Sequence, residues 1–436
     1  MGDAVTPQSQ FMLVAQVTPG QERGLRELLK TMTSKPGMAD PTNAVLPFGQ
    51  FERLHFARLV VLDDPTLGDI EAHGVTRPNL PVYLAFIGSC DGSAGECIAD
   101  LAQRAATGLR RIFMHCDGFN ADGDLPAWIQ AHQHRLAANY INWVGRTVRQ
   151  VKEESALQRA LAAKVPRTPL ASGAQAQQLR RKLIDFVDAE VSAGRLGLTP
   201  PEPTPLRWKI AKLLHLVAIP LAGLILLPFL IVLSPLFIFI LRTKEKTDAE
   251  ICPPPDRAVL LELQHLEDYD VTNQYSAFGS VKPGLFRRWL VTALLVLINY
   301  TCRHVFTRGF LARVQTIHFA FWAFLDDKRR LVFTSNYDGG HEAYMDDFIN
   351  KVAWGLNLAF SHGVGWPRTG WLVARGARIE NKFKHYQRRH QLPTQVWYQA
   401  YPGLALVDLK RNQRIREGLE RASVTDAQAQ AWLQLL

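Results

Sequence analysis

The 436-residue sequence has few cysteines and lacks the motifs that mark most hydrolytic and nucleotide-dependent enzymes. Its five cysteines are odd in number and form no CxxC pair, which argues against a disulfide framework and a thiolate zinc site and favours a reducing compartment. The patterns GxSxG, HExxH, GxGxxG and the Walker loop do not occur. Residues 1–10 lack the basic-then-apolar order of a signal peptide, so we expect no export.

Extreme composition is also lacking. With 21% charged and 10% aromatic residues the chain can bury ordinary cores, which excludes global disorder. A mean hydropathy of -0.06 excludes a polytopic membrane protein. The length suits two domains, and the net charge of +10 favours an anionic partner.

One long segment departs from these averages. Residues Leu213–Leu241 carry no formal charge, and about 20 apolar residues suffice to span a bilayer as a helix. Basic residues flank both ends, so the positive-inside rule gives no orientation. Pro220, Pro228 and Pro235 predict helix breaks, and we expect two short helices that bend at Pro228 into a hairpin within one leaflet. The alternatives are a buried core helix, or a span with a second crossing at Trp289–Cys302.

Similar segments recur on both sides of this insertion. The segment Leu54–Asp64 resembles Ile317–Asp327, 263 residues later, and each reads as a strand that ends in Asp-Asp. Asp91-Gly92 and Asp338-Gly339 are 247 residues apart, as are the two histidines His115 and His362 that end the following amphipathic stretches.

Each copy reads strand–helix–strand–strand–helix, which is most of a ferredoxin-like unit. We therefore predict an α+β fold of tandem duplicated ferredoxin-like modules that pair as an α+β barrel around a membrane-inserted helical hairpin. The predicted parts are module one at residues 1–170, a helix and Pro-rich linker at 171–212, the inserted segment at 213–241, and module two with a basic C-terminal region at 265–436. Because the modules must lie on one side to pair, monotopic attachment is expected.

The segment Gly88-Ser-Cys-Asp91-Gly92 fits the pattern GxxDG and resembles the signature of dye-decolourising peroxidases, in which two ferredoxin-like modules hold haem. The resemblance implies that Asp91 assists peroxide cleavage and that His115, or its counterpart His362, is the haem-iron ligand. Arg58 would balance an anionic group, and its counterpart is Phe321. The sequence departs from the family, because His115 follows Asp91 by only 24 residues and Ser335 replaces the first glycine in the second copy. A helix-capping turn is the alternative interpretation of the motif.

A basic stretch with interleaved aromatic residues runs from Arg375 to Arg416. Beside a membrane segment, such a stretch favours anionic phospholipid headgroups over nucleic acid, since each basic residue near the surface contributes roughly 1 kcal/mol. A solvated helix face is the alternative, especially for Arg411, Arg414 and Arg416. The candidate headgroup ligands are Arg378, Lys382, Lys384, Arg388 and Arg389.

Two functions follow from the sequence. The first is a membrane-attached oxidoreductase, haem-dependent and peroxidase-like, that acts on a lipid or another hydrophobic substrate at the cytoplasmic face of an inner membrane. The second is a non-catalytic membrane-bound protein that binds lipid or scaffolds a partner. The substrate and the oligomeric state, a homo-oligomer included, stay open.

Overall fold

A computed structural model describes residues 5–165, 173–307, 309 and 311–436. The predicted domain boundary at residue 170 lies outside these ranges. The strands are β1 Gln8–Gln16, β2 Thr33–Lys35, β3 Met38–Ala39, β4 Leu54–Leu62, β5 Tyr83–Asp91, β6 Ala138–Ile141, β7 Thr272–Ser280, β8 Ile317–Leu325, β9 Arg330–Asp338, β10 Thr369–Gly370, β11 Ala374–Arg375 and β12 Val396–Gln399. The α-helices are α1 Glu22–Lys30, α2 Ala94–Arg104, α3 Ala106–Phe113, α4 Leu125–Ala131, α5 Val148–Ala162, α6 Gly173–Ser192, α7 Leu206–Thr247, α8 Arg257–His265, α9 Leu285–His304, α10 His341–Phe360, α11 Glu380–His390, α12 Leu406–Glu420 and α13 Asp426–Leu433.

Two sheets carry the mixed α+β fold. The first has the strand order β1-β5-β4-β12-β3-β2, and the second has the order β6-β8-β9-β7. The long strands pair antiparallel in both sheets, and β12 pairs parallel with β3. Alternation of apolar side chains across these strands gives each sheet an inner and an outer buried face.

Each half of the chain gives a strand to the other half's sheet. Strand β6 pairs with β8, with Ala138 opposite Trp322, and β12 pairs with β4, with Val396 opposite Leu59. Leu59 and Trp322 are 263 residues apart, the spacing of the similar segments found in the sequence. The two halves are therefore interlocked in one body.

The core has three layers. Inner-face residues such as Met12, Val60, Phe321 and Val332 pack between the two sheets. Outside the first sheet, helices α1, α2 and α3 cover one apolar cluster, and outside the second sheet helices α9 and α10 cover another. A further small cluster joins α5, α6, α12 and α13.

The amphipathic stretches after β5 and β9 are interrupted at corresponding positions. The first is divided between α2 and α3 at Ala105, where φ is -119°. The second, α10, is kinked at Val352, where φ is -144°. Ala105 and Val352 are 247 residues apart, the spacing of the two Asp-Gly pairs. The helical stretches that the sequence predicted at these places are present, and each has one interruption.

The predicted hairpin at Pro228 does not form. Helix α7 continues through Pro220, Pro228 and Pro235 for 42 residues, about 63 Å at the helical rise. Each proline removes one i to i−4 hydrogen bond, and the separation of seven or eight residues leaves intact turns between the interruptions. The apolar segment is therefore one rod rather than two short helices.

This rod lies antiparallel to α9 and both its ends are attached to the body. Near its start, His215 Nδ1 is 2.9 Å from His304 Nε2, at the end of α9. Towards its other end, the rings of Phe237 and Phe286 have centroids 5.4 Å apart. Just before α7, Thr204 Oγ1 accepts a 2.7 Å hydrogen bond from the backbone N–H of Val5. The C-terminal end is fixed by a buried carboxylate, described below.

Helices α7 and α9 are both long and apolar enough to cross a membrane. Helix α9 packs against β6 and α10, whereas the apolar window of α7 is only 6% buried. Its exposed side chains include Leu224, Phe229, Val232 and Phe239, which are 65%, 66%, 77% and 69% exposed. Helix α7 thus covers α9 on one side and presents an apolar surface on the other.

Candidate functional site

The motif aspartate Asp91 is the last residue of β5, and its carboxylate is fully engaged. Oδ1 accepts a hydrogen bond from His55 Nε2 at 2.8 Å, and both side chains are buried. Oδ2 accepts a 2.9 Å hydrogen bond from the backbone N–H of Val148, the first residue of α5. The aspartate therefore caps α5 rather than the helix that follows it in sequence, which corrects the capping interpretation.

The second half has the same arrangement. Asp338 Oδ1 accepts a hydrogen bond from His318 Nε2 at 2.6 Å, and its Oδ2 accepts one from the backbone N–H of Leu406 at 2.8 Å. Leu406 is the first residue of α12, as Val148 is of α5. Each His–Asp pair therefore joins two strands to a helix that begins much later in the chain.

Both histidines are placed by irregularities in their strands. The register of β4 against β5 shifts between Leu54 and Phe56, and that of β8 against β9 shifts between Ile317 and Phe319. A bulge re-aims a side chain, here His55 or His318, towards the aspartate of the neighbouring strand. The two bulges also meet, since the rings of His55 and Phe319, and those of Phe56 and His318, have centroids 5.4 Å apart.

Arg58 is buried between the sheets and is held by neutral oxygens. Its Nη1 donates to the carbonyl of Tyr275 at 2.7 Å and to Ser276 Oγ at 3.0 Å. Its Nη2 donates to the carbonyl of Ser335 at 2.9 Å and to the side chain of Asn336. Burial lowers the pKa of the Arg58 guanidinium to about 9. These contacts join the two sheets through Arg58.

The predicted iron ligands lie in separate places. His115 is half-buried beside α1, where a Cβ at Gly24 would lie 3.4 Å from its Nε2. His362 is buried, and neither ring nitrogen has a hydrogen-bond partner in the described part of the chain. It lines a cavity of about 30 Å³ together with His390, enough for one or two water molecules.

These residues do not fit a haem. Both oxygens of Asp91 are occupied, the Nε2 atom of His115 faces the backbone of α1, and the cavity beside His362 is far smaller than a porphyrin. Burial, with the charges of Arg287 and Lys282, holds the pKa of His362 well below its ordinary value. A neutral imidazole is compatible with the dry interior around His362. Among the described residues, no group of three or more metal-ligating side chains includes it.

Four of the five predicted headgroup residues are paired within the chain. Lys384 Nζ lies 2.7 Å from Asp346 and 2.9 Å from Glu380. Lys382 pairs with Glu250, Arg388 with Glu267 and Arg389 with Asp69. Arg378 is exposed. Glu380 belongs to the basic stretch itself, whereas Asp346, Glu250, Glu267 and Asp69 come from other segments, which the sequence alone did not connect with these cations.

The C-terminal end of α7 is held by Glu245. This side chain is 1% exposed, and its carboxylate accepts hydrogen bonds from Thr369 Oγ1 at 3.0 Å and from the backbone N–H groups of Trp371 and Leu372 at 3.0 and 2.8 Å. Arg242 forms an ion pair with it. Glu245 therefore fastens one end of the apolar helix to the β10–β11 turn.

Cations over indole rings occur near both ends of the α7–α9 pair. Lys212 lies 5.0 Å from the ring centroid of Trp208 at one end, and Arg242 lies 4.8 Å from that of Trp371 at the other. Near the start of α9, Lys328 lies 4.4 Å from the ring of Trp289, which is 63% exposed. Aromatic and basic residues favour the boundary between hydrocarbon and water.

An apolar cavity of about 190 Å³ lies between α9, α10 and the second sheet. Its walls include Leu297, Trp322, Phe348, Trp354 and Ala359. Sequence patterns gave no sign of it, because a cavity depends on which side chains leave space rather than on which are present.

Comparison of the chain with protein-family models, with curated proteins and with solved structures finds no match.

Proposed function

We propose that this protein is a monotopic, membrane-attached lipid-binding protein. The observation that carries the proposal is the placement of α7, which exposes apolar side chains over its length while both of its ends are attached to the same body. Exposed apolar patches of this extent mark protein or membrane contacts. A membrane is favoured because the segment is apolar around its circumference and uncharged from Leu213 to Leu241.

The attachment favours a helix that lies along the bilayer rather than across it. If α7 crossed the membrane, α9 would accompany it, because the two are side by side from His215 to Phe237. The second sheet and α10 pack on α9 and would then enter hydrocarbon with their charged loops, which is costly. Insertion of the outer face of α7 into one leaflet avoids this cost.

The ends of α7 support contact with anionic phospholipids. Arg207, Lys209 and Lys212 precede the uncharged segment, and Lys244 and Lys246 follow it. Cations at this depth can bind phosphate groups while the neighbouring indoles remain at the interface. The basic stretch predicted from the sequence is therefore replaced in this role by the two termini of α7.

In this proposal the two halves are duplicated ferredoxin-like modules. Support comes from the exchanged strands β6 and β12, the paired bulges and the two His–Asp pairs. The five cysteines are unpaired, which suits the cytoplasmic face of an inner membrane.

The test is flotation of purified protein with phosphatidylglycerol-containing vesicles. The wild type should float with the vesicles, and the double variant Phe229→Asp/Val232→Asp should bind at least about tenfold more weakly, since a charge buried in hydrocarbon costs a few kcal/mol. Val407→Asp is the matched control, because Val407 is 70% exposed on α12, away from the apolar helix. Equal flotation of both variants would contradict the proposal.

The haem-dependent, peroxidase-like oxidoreductase is the second candidate. Its support is the buried imidazole of His362, whose ring nitrogens have no partner among the described residues, and the cavity of about 30 Å³ beside this ring argues against it. The His–Asp pairs favour the non-catalytic function, because both halves use them to fix helices α5 and α12.

A further inference from the structure

Two glycines at corresponding positions have different surroundings. Gly108 and Gly355 are 247 residues apart, and each lies three residues after the interruption of its helix, at Ala105 or Val352. A Cβ at Gly108 would lie 1.5 Å from the carbonyl oxygen of Val45. A Cβ at Gly355 would meet only its own helix neighbour Val352, at 3.0 Å, within 4 Å among the described residues.

The first half fills the space over its glycine with a segment of its own. Between β3 and β4 the chain passes over α3, and Val45, Leu46 and Phe48 are 5%, 0% and 0% exposed there. These side chains join the apolar cluster outside the first sheet. The filling material is therefore hydrocarbon, supplied by the protein.

In the second half, no described residue fills the corresponding space. Gly355 lines the cavity of about 190 Å³, which lies between α9 and the part of α10 around and beyond its kink. An apolar cavity of about 150 Å³ is already large enough to bind benzene. Among the described residues that line the cavity none is charged, and the hydroxyl of Thr301 donates to the carbonyl of Ile298 at 3.0 Å. Such a site takes an apolar group and rejects a charged headgroup.

The cavity reaches the molecular surface where residues of α9 and α10 line it. Leu297 on α9 and Trp354 on α10 line it, yet they are 53% and 42% exposed. Leu297 belongs to the helix that α7 accompanies. A hydrocarbon chain of the membrane leaflet that α7 contacts can therefore enter the cavity without crossing water.

We infer that this cavity binds the end of one acyl chain of a membrane phospholipid, in the place that Val45, Leu46 and Phe48 fill in the first half. The inference rests on the proposed membrane attachment and specifies its ligand. The kink at Val352 and the small residues Gly355 and Ala359 shape the site, and Leu297 lies at its entrance.

The experiment uses the full chain in detergent and follows tryptophan fluorescence during titration with phosphatidylcholine brominated near the ends of its acyl chains. Bromine quenches indoles on contact, and Trp322 and Trp354 line the cavity. We expect saturable quenching, reduced in amplitude by Trp354→Phe. Ala359→Phe, which fills the cavity, should weaken binding by about tenfold or more, equivalent to excluding roughly two methylene groups.

Two pairs of variants distinguish a loss of binding from misfolding. Ala353→Phe inserts the same bulk into α10 at a buried residue that does not line the cavity, and it should leave the titration unchanged once the protein is folded. Leu297→Glu at the entrance should weaken the titration, whereas Val296→Glu, exposed on the same helix, should not.

Equal quenching of the wild type, Ala359→Phe and Leu297→Glu would overturn the inference, and vesicle flotation of the wild type would still support membrane attachment. Quenching by brominated stearic acid but not by brominated phosphatidylcholine would contradict a membrane phospholipid as the source of the chain. Failure of the wild type to float with vesicles would instead contradict the proposed function itself.

Discussion

The imidazole of His55 donates from Nε2 to Oδ1 of Asp91 across 2.8 Å, and the other oxygen of that carboxylate caps α5. The motif that resembled a peroxidase signature is thus a junction between β4, β5 and a helix that begins 57 residues later. An equivalent junction in the second half uses His318, Asp338 and Leu406. Repetition of the whole junction favours a structural role for Asp91.

Replacement of Asp91 should therefore act on stability. Asp91→Ala leaves the buried donors of His55 and Val148 without an acceptor, and we expect the free energy of unfolding to fall by about 3 kcal/mol. Urea denaturation followed by circular dichroism measures this. Asp63→Ala, at an exposed carboxylate just after β4, is the control and should change stability by less than about 0.5 kcal/mol. Unchanged stability of Asp91→Ala would show that the carboxylate is not a structural junction.

Haem binding is tested by the absorption spectrum of the protein purified in detergent with haem supplied. Since His115 faces α1 and His362 opens only to a cavity of about 30 Å³, we expect no Soret band that depends on either histidine. His115→Ala and His362→Ala should give the same spectrum as the wild type. A band that is lost in one of these variants would restore the peroxidase-like function.

The buried histidines predict a loss of stability in mild acid. Burial lowers the pKa of His390 to about 4, against 6.5 ordinarily, and lowers that of His362 as well. Between pH 6.5 and 4 the unfolded chain binds a proton at His390 that the folded chain does not. Stability is therefore complete above pH 6.5 and falls through this window, by about 3 kcal/mol for His390.

His390→Gln removes this titration, and its unfolding free energy should depend less on pH between 6.5 and 4 than that of the wild type. His265→Gln, at an exposed histidine, is the control and should keep the wild-type dependence. Parallel curves for the wild type and His390→Gln would refute the assignment.

Detachment of the C-terminal end of α7 should follow replacement of Glu245. Glu245→Ala leaves the N–H groups of Trp371 and Leu372 without their acceptor, and the local free energy of opening should fall by about 2 kcal/mol. Hydrogen exchange and limited proteolysis around residues 242–250 report this opening. Lys246→Ala, at the exposed neighbour, should leave protection unchanged. Equal protection in both variants would mean that other contacts hold this end.

Local pattern predicted the strands well and the contacts between halves poorly. Alternating and β-branched residues located β4 and β8, and the glycines after Asp91 and Asp338 have φ of 77° and 84°, as tight turns require. Strand β5 continues to the end of the aspartate motif, because Asp91 still pairs with Gln8 within the ladder. Residues 139–143 loosely resemble residues 395–398, where β6 and β12 form, but this resemblance does not indicate that the two strands exchange partners between the halves.

Other features depend on distant residues and left no local signal. The prolines of α7 suggested a break, yet the helix continues where its neighbours on α9 support it. Lys384 is predicted as a headgroup ligand, but in the structure it forms an ion pair with Asp346, which lies 38 residues earlier in the chain. The apolar cavity lies at Gly355, where no described residue takes the place that Val45 has over Gly108, and such a difference between the halves is visible only in three dimensions.

The most direct measurement of the central claim is the accessibility of the two ends of α7 in sealed membranes. Lys209→Cys and Lys246→Cys place thiols at exposed positions on either side of the uncharged segment, in a background with the half-buried Cys252 replaced by serine. Because both ends attach to one body, a membrane-impermeant maleimide should label both cysteines from the same face and neither from the other. Labelling of the two positions from opposite faces would show that α7 crosses the bilayer and would contradict the account.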